Sequence, residues 1–184
     1  MQKYKKLPVL GFGDALSLAF SRLTDFKGRS RRSEFWYMML VVMVINFLLS
    51  IFLSFDQLVS AIIGIAVMFL GLSVTARRLQ DTGKSAFFVY VSYAFGIASN
   101  LYTALSDYSD MVLKAVSSND IMGFYMDHMD MMATVSTLSG VWMISSLIVI
   151  VFCLLDGTPG TNQYGKSPKY IEEGAANSDF EEIV

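Results

Sequence analysis

Charged and hydrogen-bonding residues of this chain concentrate in three short stretches: FKGRSRRSEFW at 26–36, ARRLQDTGKSAFF at 76–88 and GTNQYGKSP at 160–168. Five cations within them, Arg29, Arg32, Arg77, Arg78 and Lys84, are of the kind that binds phosphate. A guanidinium offers a planar fork to oxyanions, and a helix N-terminus nearby adds free N–H groups. Together with Tyr164 they are candidates for an anion site, such as a lipid headgroup would occupy. The same residues also suit a purely structural task. Arg77 and Asp81 stand at i,i+4 on a helix end and can pair. Glu34 can neutralise Arg29, Arg31 or Arg32. Gly83 suits a left-handed helix end, and Ser85 the N-cap of the next helix. Trp36 and Tyr37 lie where aromatic belts form. Asn162 to Gly165 reads as a turn that lets Tyr164 pack back on the helices, and Gly28 belongs to the first motif. The structural reading, a stapled cap, takes precedence, because any cytoplasmic face retains cations.

Other reactive groups are few. Cys153 is a lone cysteine inside an apolar run, so it has no disulfide partner and reads as a small hydrophobe. His128, the sole histidine, sits near Asp127 and Asp130, which is too little for a metal site. No metalloprotease, nucleophile-elbow, P-loop or dinucleotide pattern is present. The expectation is therefore a protein that is not an enzyme, with no cofactor, no metal and no nucleic-acid partner. Asn46 and Asn100 are polar residues inside apolar runs, the usual place for structural glue or function. Small residues at Ser60/Gly64, Ser92/Gly96 and Ser136/Gly140 have the spacing of close helix contacts.

The elements that hold these residues are apolar. Of 184 residues, 54% are hydrophobic and only 16% charged, with a net charge of −2 that averages separated basic and acidic segments. Runs at 35–55, 58–76, 86–105 and 131–155 carry no Asp, Glu, Lys, Arg or His. Each matches the roughly 20 residues that cross about 30 Å of hydrocarbon, and only helices satisfy their backbone there. The fold expected is all-α: an integral membrane four-helix bundle. The first run starts too late for a cleaved signal and should remain as an anchor. Lys and Arg flank the runs on one side: in 1–34, at 77–84, and at Lys166 and Lys169. The outside loop 106–130 has Lys114 against Asp107, Asp110, Asp120, Asp127 and Asp130. By the positive-inside rule both termini are cytoplasmic. Helices one and two should form a tight hairpin. The outside loop should carry short amphipathic helices, from Met111, Val112 and Ala115 and then Ile121, Met122, Tyr125, Met126 and Met129. In the arm 1–34, Phe12, Leu16, Phe20 and Leu23 suggest an N-terminal interfacial amphipathic helix over 13–24. The acidic end of the tail 156–184, after Pro168, reads as disordered.

The three motifs resemble a family of bacterial inner-membrane proteins called domain of unknown function 805. That family shows F-x-G-R-x-x-R-x-E-F-W before its first helix, matched by Phe26, Gly28, Arg29, Arg32, Glu34, Phe35 and Trp36. It shows R-R-L-H-D-T-G-x-S between helices two and three, matched by Arg77, Arg78, Leu79, Asp81, Thr82, Gly83 and Ser85. Its N-x-Y-G-x-x-P ending is matched by Asn162, Tyr164, Gly165 and Pro168. Gln80 stands where the family has His, and Ala86, Phe87 and Phe88 replace Gly-Trp-Trp. The resemblance implies a multi-pass protein of the plasma membrane and no particular activity.

The function expected is binding of protein or anionic-lipid partners through the cytoplasmic motifs, the protein partner being a further copy of the chain in a homo-oligomer or another membrane protein. An oligomeric channel or small-solute transporter is the alternative, with Asn46, Ser50, Asn100 and Ser136 lining a path. A membrane-embedded stress or defence effector is a third reading.

Overall fold

The computed structural model describes residues 4–52, 57–106 and 108–172. In chain order these form β1 (Tyr4–Lys6), α1 (Phe12–Ser21), α2 (Arg32–Phe52), α3 (Gln57–Asp81), α4 (Phe87–Leu105), α5 (Tyr108–Ser117), α6 (Ile121–Asp127), α7 (Met129–Leu154) and β2 (Tyr170–Glu172). Among the described residues the protein is all-helical apart from one pair of short strands. Among the described residues, three helices are long and apolar enough to cross a membrane: α2, α3 and α7. This is the make-up of a membrane protein. The sequence reading has four such spans. The fourth segment is helical over 19 residues, as α4. It is the shortest of the four, and Tyr90, Ser92, Tyr93, Ser99, Asn100, Tyr102 and Thr103 interrupt its apolar side chains.

Helix α3 lies between α2 and α4, and α4 packs along α7, which also touches α3. Helices α2 and α7 do not pack closely on each other. The buried core is small and lies beside the polar motifs: Phe35, Met38, Leu72, Val74, Leu79, Val89, Val149 and Cys153, with Ala19 of α1. Further along the helices large apolar side chains face outward, among them Met43, Phe47, Ile62, Phe69, Ile144 and Val151. Such a surface is normal for a helix solvated by lipid and abnormal for one in water. Of the three small-residue pairs, Ser92/Gly96 makes a close helix contact. Ser92 Oγ lies 2.9 Å from Ser146 Oγ on α7. A Cβ on Gly96 would stand 2.8 Å from Trp142 Nε1 and 2.9 Å from Met68 Cε. Gly64 and Gly140 have nothing within 4 Å of a Cβ, so these two do not mediate close approach.

The peripheral elements differ from expectation in detail. Helix α1 forms, but it buries Ala15 and Ala19 and leaves Phe12 and Phe20 exposed. Small residues let α1 lie close to α2, and the aromatic side is left for another medium, although Phe12 still meets Tyr37 edge-on at 5.2 Å. Two short helices, α5 and α6, occupy the 106–130 segment as expected, each burying one residue, Ala115 and Phe124. The tail is not wholly irregular: Tyr170–Glu172 pairs antiparallel with Tyr4–Lys6, with Lys5 opposite Ile171. The acidic stretch 173–184 and residues 53–56, on which the expected link between the first two apolar runs falls, lie outside the described residues.

Candidate functional site

The second motif is part of a helix. Helix α3 continues through Asp81 and carries Arg77, Arg78, Leu79, Gln80 and Asp81 into the protein, all buried. The helix then ends as the sequence predicts, at Gly83 with φ +77°. Two other left-handed glycines, Gly28 and Gly165, shape the first and third motifs, with φ +98° and +121°. These backbone conformations suit glycine because it has no Cβ. Ser85 bonds the Phe87 N–H at 3.2 Å, but the residue at the N-cap is Ala86.

Asp81 is the centre of the cap. Arg29 Nε donates to its Oδ1 at 2.8 Å, and Arg78 Nη1 donates to its Oδ2. Arg29 also donates to the carbonyls of Gly160 (2.7 Å), Gly165 (3.3 Å) and Thr158. Arg78 donates to the carbonyls of Cys153 (3.1 Å) and Leu155. These last two are among the end carbonyls of α7, which lack helical partners. A second pair stands beside the first. Arg77 Nη2 donates to Glu34 Oε1 at 2.7 Å, and its Nη1 reaches the carbonyls of Arg22 and Asp25. Arg77, Glu34, Arg78 and Asp81 are each 1% exposed or less, and Arg29 is 4% exposed.

The pairing therefore differs from the sequence reading. Arg77 does not pair with Asp81 four residues on; Arg78 does so at i,i+3, and Glu34 takes Arg77. The reason is direction. Asp81 faces the third motif and the end of α7, whereas Arg77 faces α2 and the 22–26 segment.

The third motif closes the cap from outside. Asn162 Nδ2 donates to the Gln80 carbonyl at 2.9 Å, and its Oδ1 accepts the Tyr164 N–H at 2.8 Å. Asn162 and Gly165 bond each other through both backbone groups, which makes the expected turn. Tyr164 is half-buried. Thr158 N–H donates to the Asp81 carbonyl at 3.0 Å. A Cβ at Gly157 would sit 1.9 Å from Asp81 Oδ2, so any side chain there collides with the central carboxylate. Gln80 Nε2 donates to the Phe26 carbonyl at 3.0 Å. A few buried atoms find no partner: Arg77 Nε, Gln80 Oε1 and Ser30 Oγ.

The candidate anion residues thus divide. Arg29, Arg77 and Arg78 are brought together but face inward, onto carboxylates and carbonyls. Arg32 and Lys84 are exposed. Arg32 lies 3.6 Å from Asp156, and Lys84 Nζ lies 5.5 Å from the Phe152 ring centre. Lys169 also bonds Asp156, at 2.5 Å. That ammonium holds the Asp156 carboxyl below the usual carboxylate range, with Arg32 adding to it. Trp36 is 40% exposed. His128 bonds the Phe124 carbonyl and stacks on the Phe124 ring, and among the described residues no His, Cys, Asp or Glu cluster could hold a metal. Asn46 and Asn100 come together on one cavity between the helices, which Ser50 and Ser136 do not line.

Residues 23–166, which contain all three motifs, match the family model described as Protein of unknown function (DUF805). The chain belongs to this family. No curated protein and no solved structure matches it. The DUF805 match ends at Lys166, so the β1–β2 pair and the Lys169–Asp156 bond extend beyond the family region at the chain ends. Sequence reasoning about DUF805 motifs missed Thr158, Gly157 and Gly160. Gly157 and Thr158 lie just before the third motif and Gly160 is its first residue, and the clustered glycines were the signal available.

Proposed function

We propose that this DUF805 protein is a four-span bacterial inner-membrane protein, with both termini cytoplasmic, that acts by binding and not by catalysis. Its bundle consists of α2, α3, α4 and α7, with α1 at the inner interface and α5 and α6 outside. Positive-inside placement of the cap supports this orientation. The partner it engages through the cap is the anionic lipid headgroup layer.

One observation carries the reading. The buried cations of the cap are neutralised from within, whereas Lys5, Lys6, Lys27 and Lys84 are exposed, with no carboxylate partner among the described residues. Each such cation near an anionic leaflet is worth about 1 kcal/mol of attraction. Lys84 lies three residues before α4, where helix N–H groups add to the pull on phosphate.

Native mass spectrometry of the protein released from membranes tests the reading. Retained phosphatidylglycerol should exceed its share of the membrane, and a Lys27→Gln/Lys84→Gln variant should retain less. Equal retention of neutral and anionic lipids by both proteins contradicts it. Reporter fusions at Gln57 and Asn119 should face outward; cytoplasmic signals there overturn the topology.

A further inference from the structure

The bundle is not closed. A cavity of about 390 Å³ lies between α2, α3, α4 and α7. Its walls include Met39, Met68, Tyr93 and Val149, together with Asn46, Asn100 and Trp142. Helices α2 and α7, which both contribute to its wall, do not pack closely on each other, so the bundle leaves a gap between them.

The polar groups of the wall fall into two sets. Those nearer the cap are satisfied: Ser92 and Ser146 bond each other, and Thr75 Oγ1 donates to the Gly71 carbonyl at 2.7 Å. Those further along are not. Asn46 Nδ2 donates to the Val42 carbonyl and Asn100 Nδ2 to the Gly96 carbonyl, each at 2.9 Å. Both amide oxygens, and the Trp142 indole N–H, have no partner among the described residues. Asn46 is 14 residues from Arg32, Asn100 is 13 from Phe87, and Trp142 is 12 from Leu154. At about 1.5 Å per residue all three lie at one depth, about 20 Å along their helices. Unspent acceptors and a donor at one level of a hydrocarbon layer are costly unless something meets them.

We propose that this cleft binds an uncharged, lipid-soluble amphiphile that carries both a hydroxyl and a carbonyl, admitted sideways from the bilayer. The hydroxyl donates to an asparagine oxygen, and the carbonyl accepts from Trp142 Nε1. No described residue of the wall is charged, which disfavours an ionised head, because it would be stripped of water without a counter-charge. The volume is that of an ordinary small-molecule site. Gly64 lines the cleft and has nothing within 4 Å of a Cβ, so the space there is unfilled by protein. The proposal needs only that the bundle lies in a bilayer and is independent of headgroup binding at the cap.

Trp142 reports on its own site. The full chain carrying Trp36→Phe is reconstituted in phosphatidylcholine nanodiscs, leaving Trp142 as the only indole. The probe is a monoacylglycerol brominated on its chain, and the control is a brominated alkane of equal length. Saturable quenching by the monoacylglycerol, and only linear quenching by the alkane, is expected. Asn46→Leu/Asn100→Leu should weaken the saturable component about tenfold, as loss of a buried hydrogen bond does. Gly64→Leu, which extends an apolar side chain into the cleft from a position with room for its Cβ, should abolish it. Linear quenching by both probes overturns the proposal, and the parent protein alone decides this if a variant fails to fold. Quenching of Trp142 by aqueous iodide also overturns it, because the cleft is then a water-filled path.

Discussion

The molecule holds polar side chains in two low-dielectric places and treats them in opposite ways. In the cap, three buried arginines meet two buried carboxylates and a set of backbone carbonyls. In the cleft, two asparagines and a tryptophan present hydrogen-bonding atoms that the protein leaves unmatched. Polar groups completed from within hold elements together, because removing any one leaves an uncompensated charge. Polar groups left incomplete are available to something else. The cap joins segments far apart in the chain, with Arg29 bonded 52 residues on to Asp81 and 131 residues on to Gly160. The cleft asparagines bond only within their own helices, so they join nothing.

This contrast ranks the expected effects of substitution. Asp81→Asn removes the charge shared by Arg29 and Arg78 and should cost about 3–5 kcal/mol, the range for breaking a buried pair. Thermal unfolding in detergent should then fall by about 10 °C. An unchanged midpoint would mean that the cap is solvated and not buried. Gly157→Ala drives a methyl group into the Asp81 carboxylate and should cost about 1–3 kcal/mol, typical of overpacking. A silent Gly157→Ala in a denaturant titration would place that loop away from Asp81. At the small end, Asn46→Leu should change stability by no more than about 0.6 kcal/mol, the mean worth of an intramembrane polar contact. A loss several times larger in the same titration would mean that Asn46 bridges two helices, and the distinction between cap and cleft would fail there.

Much of this arrangement is legible in the chain, and the illegible part has a definite character. Helices α2, α3, α4 and α7 follow from the uncharged runs at 35–55, 58–76, 86–105 and 131–155, and Gly83 marks a helix end by residue type alone. Short helices in 106–130 follow from spacing. What spacing cannot supply is direction. It offers Arg77 and Asp81 as an i,i+4 pair, but the surrounding elements decide, and Glu34 takes Arg77 across 43 residues. Likewise Phe12 and Phe20 mark an apolar side of α1 in the sequence, but spacing does not say which residues meet α2; these are Ala15 and Ala19, because a close helix contact selects small side chains over large ones. The strand at 170–172 escapes notice because its partner, Tyr4–Lys6, lies at the other end of the chain. Asn46 and Asn100 stand out in the sequence as polar residues among apolar ones. That they share a cavity with Trp142 depends on the order of helices around the bundle, which composition does not encode.

The most direct test of the central claim is a double-substitution cycle on Glu34 and Arg77. If the cap is an internally neutralised clamp, Glu34→Leu and Arg77→Met should each lower unfolding stability by about 3–5 kcal/mol, and the double variant should regain most of that loss. If both single variants instead keep the parental stability and lose bound phosphatidylglycerol, the buried arginines are a ligand site and the clamp does not exist.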